Sequence, residues 1–302
     1  MKGKIIIICG ATGSCKSNIA IEVAKKLNGE IISADSLAIY KGLDIGTAKP
    51  TISQQKEVKH HLINAVSPFD DFSVSEYEKM SLPIINELIK NGKTPIICGG
   101  TGFYINSILY KLSYGGIAEN LEVRNKFFEM AKINGAEKVY EELKKVDDKT
   151  AQKLHPNDLT RVIRALEIYY GTGKKKSDQN DKLVPRYNYV AISIDHPREV
   201  LYKRINERVD IMLKNGLINE VKSLIKLGVT RENQCMQGIG YKEVYDAINL
   251  GNLNGLSDLI KLNSRHYAKR QITFFKKLEN IYYLKGSVEE ITNKTIELYN
   301  NL

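Results

Sequence analysis

Short apolar segments alternate with longer amphipathic segments over the first hundred residues of the chain. Lys4–Cys9 is dominated by isoleucine and predicts a buried strand, and residues 30–33 and 94–98 predict two further strands. Apolar positions at helical spacing predict helices over residues 16–27 and 73–90. Strands and helices that alternate in this way predict a parallel sheet covered by helices.

The pattern changes in the middle of the chain, where strand signals disappear and charged, helically spaced residues take over. The helices predicted there cover residues 119–133, 136–146 and 157–170. A strand signal returns at residues 189–194, and the helices predicted after it cover residues 198–215, 217–227, 242–250 and 256–277. We therefore expect an α/β core formed by residues 1–114 and 189–302, with an all-helical lobe inserted at residues 115–188.

Composition and charge narrow the class of protein. With 302 residues, 42% hydrophobic and 26% charged, the chain has the composition of a globular protein. Its longest strongly apolar run, residues 5–9, is far shorter than a membrane span, and we recognise no signal peptide, so we expect a cytoplasmic protein without a membrane partner. Four cysteines without C-x-x-C spacing argue against a zinc site or a disulfide framework. The net charge of +10 favours a polyanionic partner.

A glycine-bearing loop follows the first strand and opens the first helix. This order of strand, loop, Lys-Ser pair and helix is typical of a P-loop, in which backbone N–H groups and the helix N-terminus bind phosphate. In such a loop Lys16 contacts the distal phosphate and Ser17 binds Mg²⁺. A plain strand-to-helix turn is the structural alternative. The candidate phosphate-binding residues are Gly10, Ala11, Thr12, Gly13, Ser14, Cys15, Lys16 and Ser17.

Cys15 departs from the P-loop pattern, which has glycine at this position. A side chain there is expected to crowd the place where the backbone and a phosphate meet closely. Either phosphate binding is weakened or the loop shifts to accommodate the thiol. A small residue that the loop tolerates is the alternative interpretation.

Several further blocks occur in the order in which one known family carries them, over nearly the whole chain. One is the segment from Asp35 to Pro50, which reads DSLAIYKGLDIGTAKP and follows the second predicted strand. The others are residues 60–63, 99–104, 155–158, 161–167, 237–242 and 268–273. Together with the P-loop, these blocks resemble those of the bacterial tRNA dimethylallyltransferases. Ala38 and Thr160 differ from the residues that are usual in that family.

The resemblance implies a P-loop NTPase-like fold, a parallel sheet flanked by helices, and a prenyl-transfer reaction. The implied reaction moves a dimethylallyl group from dimethylallyl diphosphate to N6 of the adenosine on the 3′ side of the anticodon in tRNA. Ionisation of the allylic C–O bond leaves negative charge on the diphosphate, so cationic and N–H groups are needed around it. The resemblance assigns this role to the P-loop, to Mg²⁺ held partly by Ser17, and to Arg208, which by itself resembles a solvated helix charge.

Asp35 and Thr101 are the other two candidate catalytic residues. A carboxylate at the end of a strand can accept the N6 proton or align its lone pair, and the resemblance implies this role for Asp35. An aspartate that caps a helix or stabilises a turn is its structural alternative. Thr101 lies in a Gly-Gly-Thr-Gly turn that favours close approach to the substrate or to the tRNA backbone, although a structural turn explains the glycines as well.

The expected tRNA contacts involve the anticodon stem-loop, and we expect the chain to act as a monomer. A base inside that loop has to leave the stack before it can react. A solvated surface charge is the alternative for each basic residue taken singly. In the helical lobe the candidates are Arg124, Thr160, Arg161 and Arg164. In the core they are Asp35, Ser36, Leu37, Ala38, Thr101, Gln237, Gly238, Ile239, Gly240, Tyr241, Lys242, Lys269 and Arg270.

Three other functions remain open from the sequence. A P-loop kinase of small molecules shares the loop and the size class but does not explain the segment from Asp35 to Pro50 or the basic helix near Lys269. An adenylate dimethylallyltransferase does not explain a helical lobe of the size needed to recognise a stem-loop. A tRNA-binding protein that has lost catalysis would explain Cys15, whereas the other candidate catalytic residues oppose it.

Overall fold

A single parallel sheet forms the centre of the chain in the computed structural model, which describes residues 2–179 and 183–302. All neighbouring strands run in the same direction, in the order β3-β2-β4-β1-β5-β6. The six strands are β1 (Lys4–Cys9), β2 (Gly29–Ser33), β3 (His60–His61), β4 (Thr94–Gly99), β5 (Asn188–Ile194) and β6 (Ile281–Leu284). The α/β fold with a parallel sheet and flanking helices, predicted from the sequence, is confirmed.

Thirteen helices accompany the strands within the described residues. They are α1 (Lys16–Lys26), α2 (Ile52–Glu57), α3 (Val74–Lys90), α4 (Gly102–Leu109), α5 (Leu121–Asn134), α6 (Ala136–Val146), α7 (Asp148–Ala151), α8 (Leu159–Thr172), α9 (Arg198–Lys214), α10 (Leu217–Lys226), α11 (Tyr241–Asn249), α12 (Leu256–Phe275) and α13 (Val288–Asn300). None of them, across the parts of the chain that the structure describes, is long and apolar enough to cross a membrane.

The central strand is buried on both faces, as its unbroken apolar sequence predicts for a parallel sheet. Ile5 through Ile8 of β1 have no exposed surface. Helices α1 and α13 cover one face, where Ile19 and Ile291 pack into the same apolar cluster as Ile6 and Ile192. This rigid centre fixes where the loops that follow the strands can lie.

The chain divides into two compact units, Met1–Leu109 with Pro185–Leu302, and Tyr110–Val184. The first contains the sheet, and the second contains helices α5 to α8. The second unit has an apolar core of its own, built around Phe127, Leu143 and Leu166. The sequence predicted the helical lobe at residues 115–188, so each predicted boundary lies a few residues after the observed one.

Several elements were not predicted from the sequence, namely α2, β3, α4, α7, β6 and α13. Helix α4 is largely buried, so it lacks the alternation of polar and apolar positions that reveals a surface helix. Strand β3 has only two residues. Helix α13 did carry a local signal, because Ser287 and Glu290 form a reciprocal capping box at its start.

Candidate active site

The functional segments follow strands that are neighbours in the sheet, so that they meet at one edge. The P-loop follows β1, Asp35 follows β2 and Thr101 follows β4, and these strands are adjacent in the order β2-β4-β1. The carboxyl ends of parallel strands point to the same side, which is where α/β folds bind their ligands.

The P-loop is shaped by two glycines with positive φ, Gly10 at +126° and Gly13 at +79°. A Cβ atom at Gly13 would lie 3.1 Å from the Ile205 side chain, and one at Gly10 would lie 2.5 Å from the Ser193 hydroxyl. The loop therefore needs glycine at both positions for conformation and for space. The following residues open α1, so that the start of this helix faces the cavity.

Lys16 lies inside this loop, and its Nζ donates a hydrogen bond to the carbonyl oxygen of Ala11 at 2.6 Å. Burial lowers the pKa of Lys16, and the nearby Arg208 guanidinium acts in the same direction, whereas the Asp35 carboxylate opposes them. A buried ammonium group beside a second cation favours an anion, so an anionic ligand bound in this cavity would stabilise the charged form of Lys16.

Two arginines from α9 complete the cationic wall of this cavity. Arg204 and Arg208 are one helical turn apart and therefore share a face. Arg208 donates from Nη2 to the Thr47 carbonyl oxygen at 2.9 Å, and burial lowers its pKa. The structure thus holds Arg208 in a defined position within the site and not as a solvated helix charge.

Cys15 occupies the position before α1 with φ +66° and ψ 23°, in the left-handed region. Glycine adopts this conformation freely, whereas another residue is strained by about 1–2 kcal/mol. The Cys15 side chain is exposed, and its sulfur lies 3.1 Å from Nη1 of Arg204. The loop keeps a glycine-like backbone at this position, and the thiol is directed toward an arginine of the cavity wall.

Asp35 lies at the junction of two cavities, of about 450 Å³ and about 390 Å³. Its Oδ1 accepts hydrogen bonds from the backbone N–H groups of Leu37 at 2.9 Å and Ala38 at 3.1 Å. The turn-stabilising role that was the alternative interpretation of Asp35 is therefore real, and it fixes the carboxylate where both cavities reach it. The residues that line both cavities are Thr12, Asp35, Thr47, Arg208 and Tyr267.

Thr101 is held next to Asp35 by two backbone contacts. Its Oγ1 accepts a hydrogen bond from the N–H of Ser36 at 3.0 Å, and its own N–H donates to Ala34 at 3.0 Å. The Tyr267 side chain also lies near Thr101. Burial raises the pKa of Tyr267 to about 12, with a further contribution from the Asp35 charge.

The glycines around Thr101 make room for other parts of the protein. A Cβ atom at Gly99 would lie 2.1 Å from the Ala34 carbonyl oxygen, and one at Gly100 would lie 2.1 Å from the Gln271 side chain. At Gly102 the added carbon would lie 2.2 Å from the ring of Phe274. The structural explanation of this Gly-Gly-Thr-Gly turn is therefore sufficient to account for its glycines.

The second cavity is bordered by the block at residues 237–242 and by Ser36, Leu37 and Arg270. Gly238 approaches Leu37 so closely that a Cβ atom would lie 2.3 Å from its Cδ1. Tyr241 has no exposed surface, and its hydroxyl donates to Glu220 at 2.7 Å. The buried side chain of Tyr241 therefore has a structural role and does not line the cavity. Lys269 and Arg270 of α12, in contrast, are exposed.

The candidate residues of the second compact unit differ in how available they are. Arg161 and Thr160 are exposed at the start of α8. Arg164 instead donates hydrogen bonds to Glu167 and to the carbonyl oxygens of two residues near the start of this unit, Tyr114 and Ile117. Arg124 pairs with the same Glu167 carboxylate. Two of the four predicted tRNA contacts in this unit thus stabilise it internally.

A family model described as IPP transferase matches residues 38–278 of the chain. The chain belongs to the IPP transferase family. A relative from Acetivibrio thermocellus named tRNA dimethylallyltransferase is 43% identical over 297 residues, covering 97% of this chain and 95% of its own. Another with that name, from Thermoanaerobacter sp., is 46% identical over 279 residues, or 90% of this chain and 89% of its own.

Solved structures agree with membership of the IPP transferase family. The tRNA isopentenylpyrophosphate transferase of Bacillus halodurans has a TM-score of 0.73 and 38% identity, and 99% of each chain is covered. A eukaryotic dimethylallyltransferase described as acting on tRNA has a TM-score of 0.83 and 30% identity, covering 99% of this chain and 77% of its own. The resemblance on which the sequence prediction rested is confirmed.

Two residues at the site of this IPP transferase family member were not found from the sequence. Glu220 on α10 accepts hydrogen bonds from the backbone N–H groups of Asp44, Ile45 and Gly46 at 2.8, 2.7 and 3.2 Å, and so anchors the loop that carries Thr47. The second residue is Gln271 on α12. Both contact segments more than 170 residues away in the chain. Gln271 lies in the family block at residues 268–273, but nothing in that block indicated its partners, and no local pattern marks Glu220.

Proposed function

We propose that the chain transfers a dimethylallyl group from dimethylallyl diphosphate to N6 of the adenosine on the 3′ side of the anticodon in tRNA. The observation that carries this proposal is the meeting of two cavities at Asp35. One cavity has the P-loop and two arginines for a diphosphate, and the other is bordered by the basic residues Arg270 of α12 and Lys242 of α11. The names of the relatives support the choice of both substrates.

In this proposal the first cavity holds the leaving group. The allylic C–O bond breaks as the bond to N6 forms, and the electron pair of the broken bond remains on the diphosphate. Lys16, Arg208 and the P-loop line this cavity, so that cationic and N–H donors are at hand where negative charge develops in the transition state. Burial lowers the pKa values of Lys16 and Arg208 at the same place, and a bound anion there would stabilise their charged forms.

Mg²⁺ fits this donor set as an ion held mainly by its ligand. Within the described residues no group of three or more His, Cys, Asp or Glu side chains is arranged to hold a metal. Mg²⁺ commonly binds through substrate phosphates and only one or two protein groups, and Ser17 is an exposed hydroxyl that lines the cavity. When bound, the ion would neutralise part of the charge on the diphosphate.

The Asp35 carboxylate is proposed to accept the proton that N6 loses or to orient its lone pair. Its Oδ1 is fixed by the amides of Leu37 and Ala38, which sets the direction of the remaining oxygen. Thr101, hydrogen-bonded to the next residue after Asp35, is proposed to contact the edge of the acceptor base. The general base contributes typically about 10²–10⁴-fold to such a reaction.

The tRNA is proposed to bind through its anticodon stem-loop to exposed basic residues, among them Lys269 and Arg270 of the core and Arg161 of the second unit. We propose that the chain acts as a monomer. We place the reaction in the cytoplasm, where tRNA is available.

One observation supports a second candidate function. The left-handed conformation of Cys15 and its contact with Arg204 place a thiol at the cavity that would hold the diphosphate. A tRNA-binding protein with impaired catalysis would be the result if this thiol excludes the ligand. A small-molecule kinase is not supported, because the relatives by which the chain is classified are named for tRNA prenyl transfer.

The decisive experiment is mass spectrometry of an unmodified anticodon stem-loop after incubation with the protein, Mg²⁺ and dimethylallyl diphosphate. We expect a single dimethylallyl increment on the adenosine beside the anticodon. If the wild-type chain gives no increment but Cys15→Gly does, the second candidate function is correct. If neither chain gives an increment while both bind the stem-loop, the proposed transfer is wrong.

A further inference from the structure

The buried side-chain amide of Gln271 connects the P-loop with the turn that precedes Thr101. Gln271 of α12 is 5% exposed. Its Oε1 accepts a hydrogen bond from the P-loop N–H of Thr12 at 2.8 Å, and its Nε2 donates to the carbonyl oxygen of Gly100 at 3.0 Å. The side chain thus contacts the loop after β1 and the turn after β4 at the same time, and the amide orientation follows from these two partners.

The contact continues from Gln271 toward the proposed acceptor. The Tyr267 side chain, one helical turn before Gln271, lies near the side chains of both Gln271 and Thr101. Gly100, which accepts from Gln271, directly precedes Thr101, and Thr101 in turn accepts from the N–H of Ser36, the neighbour of Asp35. Hydrogen bonds therefore connect the P-loop through Gln271 to the turn at Thr101, and that turn to the residue beside the proposed base.

The backbone around Gln271 is shaped to receive it. Gly100 has no side chain, and a Cβ atom there would lie 2.1 Å from Nε2 of Gln271. The Thr12 N–H is directed to Gln271, so that this donor of the P-loop is used within the protein. The loop is consequently fixed by α12 at a point between its glycines Gly10 and Gly13.

We propose that Gln271 is a positioning residue that sets the distance and orientation between the diphosphate loop and the acceptor turn at Thr101. The proposal rests on the proposed prenyl transfer and deepens it. Transfer of a group between two bound substrates depends on their alignment, and a displacement of about 1 Å can reduce the rate about 100-fold. We expect the P-loop and the acceptor turn at Thr101 each to bind their own ligand without Gln271. The reaction additionally requires that the two bound ligands are aligned.

The test is the substitution Gln271→Met, which keeps the length of the side chain and removes both hydrogen bonds. We expect kcat to fall at least about 10-fold, with KM for each substrate within about threefold of the wild-type value. Tyr189→Phe is the matched control, because it removes a hydrogen bond from a largely buried hydroxyl to the Glu279 carbonyl, away from both cavities. We expect its kcat to remain unchanged.

A double-mutant cycle distinguishes positioning from general support of the fold. If Gln271 acts through Thr101, the double variant Gln271→Met, Thr101→Val should be about as slow as the slower single variant, because the two act as a unit. Independent, multiplicative losses would overturn the proposal. A kcat of Gln271→Met within twofold of wild type, or an increase in KM alone, would also overturn it.

A second variant of Gln271 and the activity of the wild-type chain complete this test. If Gln271→Met does not fold, Gln271→Glu replaces it, because a carboxylate still accepts from Thr12 but places an oxygen against the Gly100 carbonyl. We expect the same loss of kcat in that variant, and wild-type kcat would contradict the proposal. An inactive wild-type chain in the same assay would refute the proposed function itself.

Discussion

The Nη1 atom of Arg204 lies 3.1 Å from the sulfur of Cys15, at the cavity where the P-loop would receive a diphosphate. The thiol thus engages a cation that would otherwise face the ligand, and the backbone of Cys15 is held at φ +66°. Both features originate from one residue that stands where the P-loop pattern has glycine.

Replacement of this residue by glycine should therefore improve the site. We expect Cys15→Gly to lower KM for dimethylallyl diphosphate severalfold, because it removes the thiol that contacts Arg204 and relieves backbone strain of about 1–2 kcal/mol. Cys15→Ala is the control that removes the thiol but keeps the strained backbone. Steady-state kinetics of the three proteins separate the two effects, and an unchanged KM in Cys15→Gly would show that the thiol does not crowd the loop.

Asp35 offers a test of chemistry against binding. Asp35→Asn retains an oxygen for the Leu37 and Ala38 amides but cannot accept a proton as a carboxylate does. We expect kcat to fall at least about 100-fold, with tRNA affinity near the wild-type value, as also expected for Asp35→Ala. Single-turnover rates and a filter-binding assay measure the two quantities. Equal losses of rate and affinity would refute the chemical role.

The exposed cations of α12 should govern the salt dependence of tRNA binding. We expect the double variant Lys269→Ala, Arg270→Ala to bind tRNA more weakly. The slope of log Kobs against log salt concentration should fall by about 1.5, because two phosphate contacts are lost. Lys294→Ala on α13 is the control. Retention of the full slope in the double variant would place the tRNA elsewhere.

The lowered pKa of Lys16 predicts a pH dependence. Burial disfavours the charged ammonium, so that in the free protein Lys16 loses its proton at a lower pH than an ordinary lysine. The value of kcat/KM for dimethylallyl diphosphate should therefore fall as pH rises through this lowered pKa. In Lys16→Arg the fall should move to higher pH. An alkaline limb that does not move in this variant would assign the titration to another group.

Glu220 should matter for stability and for loop geometry. Its carboxylate satisfies three backbone N–H groups between Asp44 and Gly46, in a region just before Thr47. We expect Glu220→Ala to lower the free energy of unfolding by about 2 kcal/mol and Glu220→Gln, which keeps an acceptor oxygen, to cost less. Urea denaturation provides the measurement. Equal stability of Glu220→Ala and wild type would show that solvent replaces the carboxylate.

Local sequence determined the elements that a short segment can define by itself. The apolar run at β1, the glycines and Lys-Ser pair of the P-loop, and the position of Asp35 after β2 were all readable, because a buried parallel strand and a strand-to-helix loop each impose their own residue pattern. The ordered blocks of the family then gave the expected chemistry, from Asp35 to Lys269.

Tertiary structure decided which residues hold these segments together. Gln271 meets Thr12 across 259 positions, and Glu220 meets Asp44 across 176, and neither contact is encoded by periodicity. The contacts of Arg164 were likewise decided by the tertiary structure. Its guanidinium donates hydrogen bonds to Glu167 and to the Tyr114 carbonyl oxygen within its own unit. A buried polar group needs a partner from whatever segment the fold brings near, and that choice is made only when the chain closes on itself.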